Sequence, residues 1–193
     1  MKKICSLALA VLILSACRKD PQPQTPVDHP VMQYLNLQDE SITFGKIKKI
    51  DINSDGTDDF LVSTLLVGDP ILKRDRRQYY VSSGTESRLL NDFNDQSPVL
   101  NKGDQVMLQH PAYLWLEVSS ILLAEKIIPE TGASFWQGAW KQAIRKYLPV
   151  QVKKNGDIYN GWMEISFDMA LEKIILHRAA ISTEPGKTVR AGF

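Results

Sequence analysis

The segment at residues 51–60, Asp-Ile-Asn-Ser-Asp-Gly-Thr-Asp-Asp-Phe, places side-chain oxygens at alternating positions around a glycine. Calcium takes about six to eight oxygen ligands, so a loop that binds it must present carboxylates and carbonyls on one concave side. With Asp51 counted as position one, Gly56 at position six permits the sharp turn that this requires, and Thr57 at position seven can offer its backbone carbonyl. The spacing therefore predicts a calcium site formed by Asp51, Asn53, Asp55, Thr57 and Asp59.

The sequence on either side of this loop distinguishes it from an EF-hand. An EF-hand needs a bidentate glutamate at position twelve, where this chain has Val62. Segments 46–50 and 60–65 are typical of strands, which predicts a strand-loop-strand arrangement. A surface turn rich in aspartate and asparagine is the alternative, since both residues favour turns. Without a base nearby to activate water, the expected role of the ion is structural.

Other catalytic chemistry is weakly indicated. None of the three histidines has the spacing of a zinc motif, and we interpret His177 as a half-buried strand residue rather than a base. Neither a nucleophile elbow nor a phosphate-binding glycine loop occurs. Glu164 alternates with apolar neighbours, which places it on the solvent face of a strand. We therefore expect no enzyme, and a hydrolase with unassigned carboxylates is our third hypothesis.

Aromatic side chains suggest a different kind of site. Exposed planar rings can stack on sugar faces, and the candidate ligand-binding residues are Trp136, Trp140 and Tyr147. Tryptophan is also a frequent core residue, and we expect Trp162, within an alternating strand pattern, to be buried.

The start of the chain indicates export and lipidation. Residues 1–16 form a signal peptide, because their apolar run after Lys2 and Lys3 is shorter than the roughly 20 residues that span a bilayer. The signal ends in Leu-Ser-Ala-Cys, which resembles the lipobox of bacterial lipoproteins. That resemblance implies acylation of Cys17 and anchorage in a lipid bilayer. An ordinary secretory signal is the alternative.

Composition and the residues after Cys17 define the rest of the chain. Residues 17–30 form a lipidated, proline-rich tether, and residues 31–193 form one domain without cysteine. Arg18 stands where aspartate would signal inner-membrane retention, which favours the outer membrane, with its periplasmic or surface side left open. The 23 basic and 22 acidic residues nearly balance, which argues against nucleic-acid binding.

Turn signals between short β-rich runs favour an all-β fold, an antiparallel β-sandwich with one calcium loop. Segment 118–128 could be a helix by composition, and a short helix or loop is expected over 134–147, where aromatic and apolar residues have helical spacing. The predicted strands span 42–51, 59–67, 77–82, 105–109, 113–118, 147–154, 161–168 and 172–181.

Several short motifs, taken in order, resemble a loose group of secreted bacterial β-sandwich proteins. These motifs are the loop ending in Asp59-Phe60, the turn at 100–106, the strand with Gly161-Trp162 and the segment 185–192. The loop itself resembles the calcium loops of integrin-like FG-GAP repeats. The chain departs from the group at Asn160 and Pro149, where tyrosine and glycine are common. The resemblance implies a fold and no shared activity.

These observations lead to one main hypothesis and one alternative binding role. We expect a lipid-anchored envelope protein whose calcium-stabilised β-sandwich has a structural or binding role, with a glycan or another envelope protein as partner. The alternative is a carbohydrate-binding accessory lipoprotein that uses the aromatic residues named above.

Overall fold

The computed structural model describes residues 29–193, so the predicted signal peptide, Cys17 and most of the tether lie outside the described residues. Every regular element in this range is a strand. The thirteen strands are β1 Met32–Thr43, β2 Lys48–Ile50, β3 Phe60–Asp69, β4 Arg74–Ser83, β5 Ser87–Asn91, β6 Gln105–Val106, β7 Leu114–Glu117, β8 Ser120–Pro129, β9 Phe135–Gln137, β10 Lys146–Lys154, β11 Asp157–Asp168, β12 Lys173–Ser182 and β13 Val189–Arg190. Over the described range there is accordingly no helix able to cross a membrane.

The strands form two main antiparallel sheets. The six-stranded sheet has the order β1-β12-β11-β10-β5-β7, and the five-stranded sheet has the order β2-β3-β4-β8-β9. A third, two-stranded sheet pairs β13 with β6. The prediction of an all-β, antiparallel fold is confirmed, and the two large sheets are consistent with a β-sandwich.

The main core lies between these two sheets. Phe60, Val62 and Tyr79 reach it from the five-stranded sheet, and Met163 and Ile165 reach it from the six-stranded sheet. Their spacing follows from the two-residue period of a strand, which sends alternate side chains to the same face. The first residues of β3 show this period, with Phe60 and Val62 buried and Leu61 and Ser63 only partly buried.

Strand β11 is buried on both faces. Its outer face carries Trp162, which is fully buried, as predicted, with Ala180, Val106 and Val189 in a second apolar cluster. The small sheet of β6 and β13 covers this face. Because the strand has apolar neighbours on both sides, residues 160–167 form a continuous buried run.

Of the short helix or loop expected over 134–147, the helix is wrong. This segment contains β9, which pairs with β8, and a following bend in which the Trp140 N–H donates to the Leu123 carbonyl at 3.1 Å. At Gly138 the backbone passes so close to β8 that a Cβ would lie 2.6 Å from the Leu123 carbonyl oxygen. Pairing with the preceding strand, β8, therefore overrides the local helical spacing.

The helical alternative over 118–128 is also wrong, because this segment lies mostly in β8 and pairs with β4. The predicted strand 42–51 is two strands in different sheets, with a turn at Gly45 between β1 and β2. Most of β1, with its polar sequence and a bulge between Asn36 and Glu40, was not predicted. Polar residues and a bulge hide the two-residue alternation on which a strand prediction rests.

Candidate functional site

The Asp51–Asp59 loop connects two paired strands, as predicted. Ile50 in β2 pairs with Phe60 in β3, and the Asp59 N–H donates to the Ile50 carbonyl at 2.9 Å. Ile52, one residue into the loop, is fully buried in the main core. Since both ends are attached to the sheet and one side chain is anchored, the remaining residues form a compact surface loop.

Three of the five predicted ligands meet within this loop. The Asp51 carboxylate accepts the Asp55 N–H at 3.1 Å and the Gly56 N–H at 2.7 Å. The Asn53 side-chain oxygen also accepts the Asp55 N–H, at 3.0 Å, and the Asn53 amide donates to the Asp55 carboxylate at 3.0 Å. Gly56 has a φ of +91°, the left-handed conformation that glycine adopts at little cost. The loop therefore brings the oxygens of Asp51, Asn53 and Asp55 together.

The other two predicted ligands are placed differently. Asp59 is buried, and its carboxylate accepts the Ile52 N–H at 2.9 Å and the Ser87 hydroxyl at 2.8 Å. Thr57 is exposed, and its N–H donates to the Asp55 carboxylate at 3.0 Å. Asp59 thus attaches the base of the loop to β5. Accordingly, residues 29–193 contain no group of three or more His, Cys, Asp or Glu side chains arranged to hold a metal ion.

The loop is strongly acidic. Lys49 forms an ion pair with Asp58 at 2.7 Å, and the Lys154 ammonium lies 4.0 Å from the Asp55 carboxylate. The backbone hydrogen bond from Thr57 is the main cause of the lowered pKa of Asp55. Burial raises the pKa of Asp59, the hydrogen bonds from Ser87 and Ile52 oppose this rise, and the negative charges of Asp55 and Asp51 add to it. A bound cation would therefore relieve repulsion among these carboxylates.

Replacing Asp59 with asparagine should stabilise the metal-free protein as the pH rises above the acidic range. Because its pKa is raised in the folded state, stability is lost as the pH rises from the unfolded value of Asp59 through its folded value. Asparagine keeps an oxygen for the Ile52 N–H without the charge. Thermal melts in chelator from pH 4 to 7 should show the advantage of Asp59→Asn over the wild type growing with pH. A constant or shrinking difference would contradict the effect of the buried charge.

The aromatic candidates are mostly core residues. Trp140 is 1 % exposed and donates from its indole to the Ser97 carbonyl at 3.2 Å. Tyr147 is 4 % exposed and packs edge-on against Trp162, with ring centroids 5.2 Å apart. Trp136 is half-buried on Tyr79 and Phe167. Trp140 and Tyr147 therefore have no ring face that a sugar can reach, so two of the three aromatic candidates do not fit the carbohydrate-binding alternative.

Glu164 corrects a further prediction. It lies on the face of β11 opposite the main core, yet it is only 2 % exposed because Arg145 and Arg178 cover it at 3.0 and 2.7 Å. Burial alone would raise the pKa of Glu164, but hydrogen bonds from Arg178 and Arg145 outweigh it and lower that pKa. The alternating pattern identified the face correctly, while the two arginines exclude the solvent from it.

A second polar cluster, formed by Asp39, Ser166 and His177, was not predicted from the sequence. His177, half-buried in β12 as predicted, contacts Ser166 in β11 and Asp39 in the bulge of β1. The hairpin formed by β11 and β12 could have indicated the first contact, because it brings residues 11 apart in sequence onto neighbouring strands. Nothing local could have indicated the second, since Asp39 is 138 residues from His177.

Comparison with known proteins adds no evidence on function, so any functional assignment depends on the local features described above. No protein-family model matches the chain, and neither a curated protein nor a solved structure is significantly similar to it.

Proposed function

We propose that this chain is a lipid-anchored protein of the bacterial cell envelope whose β domain binds calcium through the Asp51–Asp59 loop and has a structural or binding role. The observation that carries the calcium proposal is the meeting of the Asp51, Asn53 and Asp55 oxygens around Gly56. Carboxylate and amide oxygens are the ligands that calcium prefers. The donor set therefore fits a hard divalent cation.

The predicted ligands all lie within the loop. Asp51, Asn53 and Asp55 would hold the ion, with Thr57 and Asp59 as the remaining predicted ligands. When bound, calcium supplies positive charge that offsets the repulsion described above. Asp59 already connects the loop to Ser87 at 2.8 Å, so a change in the loop reaches β5 as well as β2 and β3. The expected role of the ion is to stabilise this corner of the fold.

The location of the protein follows from its sequence. The Leu-Ser-Ala-Cys motif and the proline-rich segment after it support acylation of Cys17 and a tethered domain. Two or more acyl chains give stable membrane attachment without a spanning helix. The absence of aspartate after Cys17 supports the outer membrane as the destination.

Calcium should raise the melting temperature of the purified full-length chain. An ion that binds only the folded state adds about 2.7 kcal/mol when its concentration is 100 times its dissociation constant. Differential scanning calorimetry with calcium and with chelator should show this gain. Asp55→Asn should lose it, because this variant removes one charge of the ligand set. Isothermal titration calorimetry should show calcium binding to the wild type and much weaker binding to the variant.

Asp58→Asn is the matched control for that experiment. It removes one charge from the same loop, but Asp58 pairs with Lys49 and is not a predicted ligand. This variant should keep the calcium-dependent gain. If the wild type shows no gain, or if both variants lose it equally, the calcium site is refuted.

Lipidation has its own test. Cells that express the full-length chain should incorporate a fatty-acid analogue into it, and Cys17→Ser should abolish that incorporation because the acylated thiol is gone. The label is read on the immunoprecipitated protein. Cys5→Ser, which lies within the predicted signal peptide, should leave incorporation unchanged. Label that persists in Cys17→Ser would refute the anchor.

A further inference from the structure

The second polar cluster has the connectivity of a hydrolase relay. The Ser166 hydroxyl lies 2.8 Å from Nε2 of His177, and Nδ1 of the same ring pairs with the Asp39 carboxylate. A proton on Nδ1, directed at Asp39, leaves Nε2 as an acceptor for the serine proton. This is the order of groups that activates a serine for attack on a carbonyl carbon.

The backbone orients the serine proton. The Arg145 N–H donates to Oγ of Ser166 at 2.9 Å. This bond uses the hydroxyl oxygen as an acceptor only, so the O–H group is still available to donate. Its neighbouring acceptor is Nε2 of His177. The hydroxyl is therefore set to give its proton to the imidazole.

Irregular backbone brings the three groups together. The register of β1 with β12 shifts between Asn36 and Glu40, and that of β11 with β12 shifts between Glu164 and Ile165. Gln38 and Asp39 have φ values of 59° and 52°, in the left-handed region that non-glycine residues seldom adopt. Bulges and such strained residues concentrate at functional sites, where they direct side chains that a regular strand would point elsewhere.

His177 and Asp39 of this cluster line a groove of about 390 Å³. Its polar and aromatic lining includes Tyr34, Asn36, Asp39, Arg145, His177 and Arg178. Ser166 is 8 % exposed and does not itself line the groove, so a substrate must reach it past His177 and Arg145, which contact it. Arg145 is 59 % exposed and donates through Nη1 to Glu164, which leaves other guanidinium N–H groups for a carbonyl oxygen. The volume suits a small substrate.

We propose that Ser166, His177 and Asp39 form a hydrolytic site for small carboxylic esters. Oγ of Ser166 bonds to the ester carbonyl carbon, and its proton passes to Nε2 of His177. The carbon–oxygen bond to the leaving alcohol then breaks, and His177 returns that proton to the alcohol. Water hydrolyses the acyl-serine by the same route in reverse, which releases the acid and restores Ser166. Asp39 is a positioning residue that keeps the imidazole in the required tautomer.

Ester turnover by the purified full-length chain tests this site, and chelator keeps the result independent of the proposed calcium loop. The wild type should hydrolyse p-nitrophenyl acetate, and Ser166→Ala should lose about 10³-fold or more of kcat/KM. The control Ser82→Ala should keep wild-type turnover, because this strand hydroxyl, 2.7 Å from that of Ser120, lies outside the relay. Asp39→Asn should lower kcat by about 10²-fold or more with little change in KM.

Covalent labelling of the native chain tests whether Ser166 is the nucleophile even if a variant fails to fold. A fluorophosphonate probe should modify the native chain at Ser166, as located by mass spectrometry, and should not modify heat-denatured chain or His177→Gln. The proposal is overturned if the native protein is unlabelled at Ser166 and hydrolyses the ester no faster than Ser166→Ala. A label on a different serine that accounts for the turnover overturns it equally.

Discussion

Trp140→Ala should destabilise the protein by about 3–5 kcal/mol, the cost usually found for deleting a fully buried tryptophan. The Trp140 ring is 1 % exposed within the main core, and its indole N–H donates to the Ser97 carbonyl. Truncation removes the apolar contacts, opens a cavity and leaves that carbonyl without its donor. Urea unfolding should show a lower midpoint with little change in slope, and the melting temperature should fall by roughly 10 °C or more.

Trp136→Ala is the matched comparison. The two tryptophans lie four positions apart, but Trp136 is only half-buried against Tyr79 and Phe167. Its truncation should cost clearly less than that of Trp140. If the two variants lose equal stability, the burial of Trp140 described above is wrong. If Trp140→Ala keeps full stability and loses glycan binding, that result would support the alternative of a carbohydrate-binding protein.

Gly161→Ala should cost about 3 kcal/mol, at the upper end of the usual range for overpacking. Gly161 lies in β11 opposite Ile181 of β12. An added Cβ would lie 2.4 Å from the Ala180 carbonyl oxygen and 2.8 Å from the Ile181 side chain. The first of these is a backbone atom that cannot move without separating the two strands, so the substitution should weaken the sheet. Chemical denaturation measures the loss directly.

Gly156→Ala measures the cost of a left-handed backbone conformation without a steric clash. Gly156 lies in the turn between β10 and β11, where an added Cβ meets nothing within 4 Å but the φ is +88°. The cost should be about 1 kcal/mol, from backbone conformation alone. A larger loss at Gly156 than at Gly161 would contradict the close approach of β11 to β12. Equal losses would mean that the clash is relieved by small shifts.

The local parts of the fold could be predicted from sequence because their causes are local. Strands β3, β10 and β12 have apolar runs or two-residue alternation between turn residues, and each was predicted within a few positions. The strand-loop-strand around Asp51–Asp59 follows from the same pattern and from Gly56. Burial of Trp162 followed from its place in an apolar strand segment. Each of these depends on neighbours within about ten residues.

Prediction failed where contacts with other strands, rather than the spacing within one segment, determined the outcome. Spacing around Trp136 and Trp140 favours a helix, but β8 offers an edge whose backbone groups need partners, and pairing with it satisfies them. The burial of Trp140 follows from that same packing, whereas Tyr147 is buried in the second apolar cluster, against Trp162. Glu164 has the alternation of an exposed residue and loses its exposure only because two arginines from elsewhere cover it.

The sequence by itself determined the class of fold and the loop of alternating oxygens at 51–59, because each depends on residue type and spacing over short segments. The proposed acylation of Cys17 rests on the sequence alone. Only the tertiary structure decided that Trp140 and Tyr147 are buried and that Ser166, His177 and Asp39 meet. The physical reason is that β1, β12 and β11 lie side by side, and the shifts in their register aim three side chains that no sequence period relates.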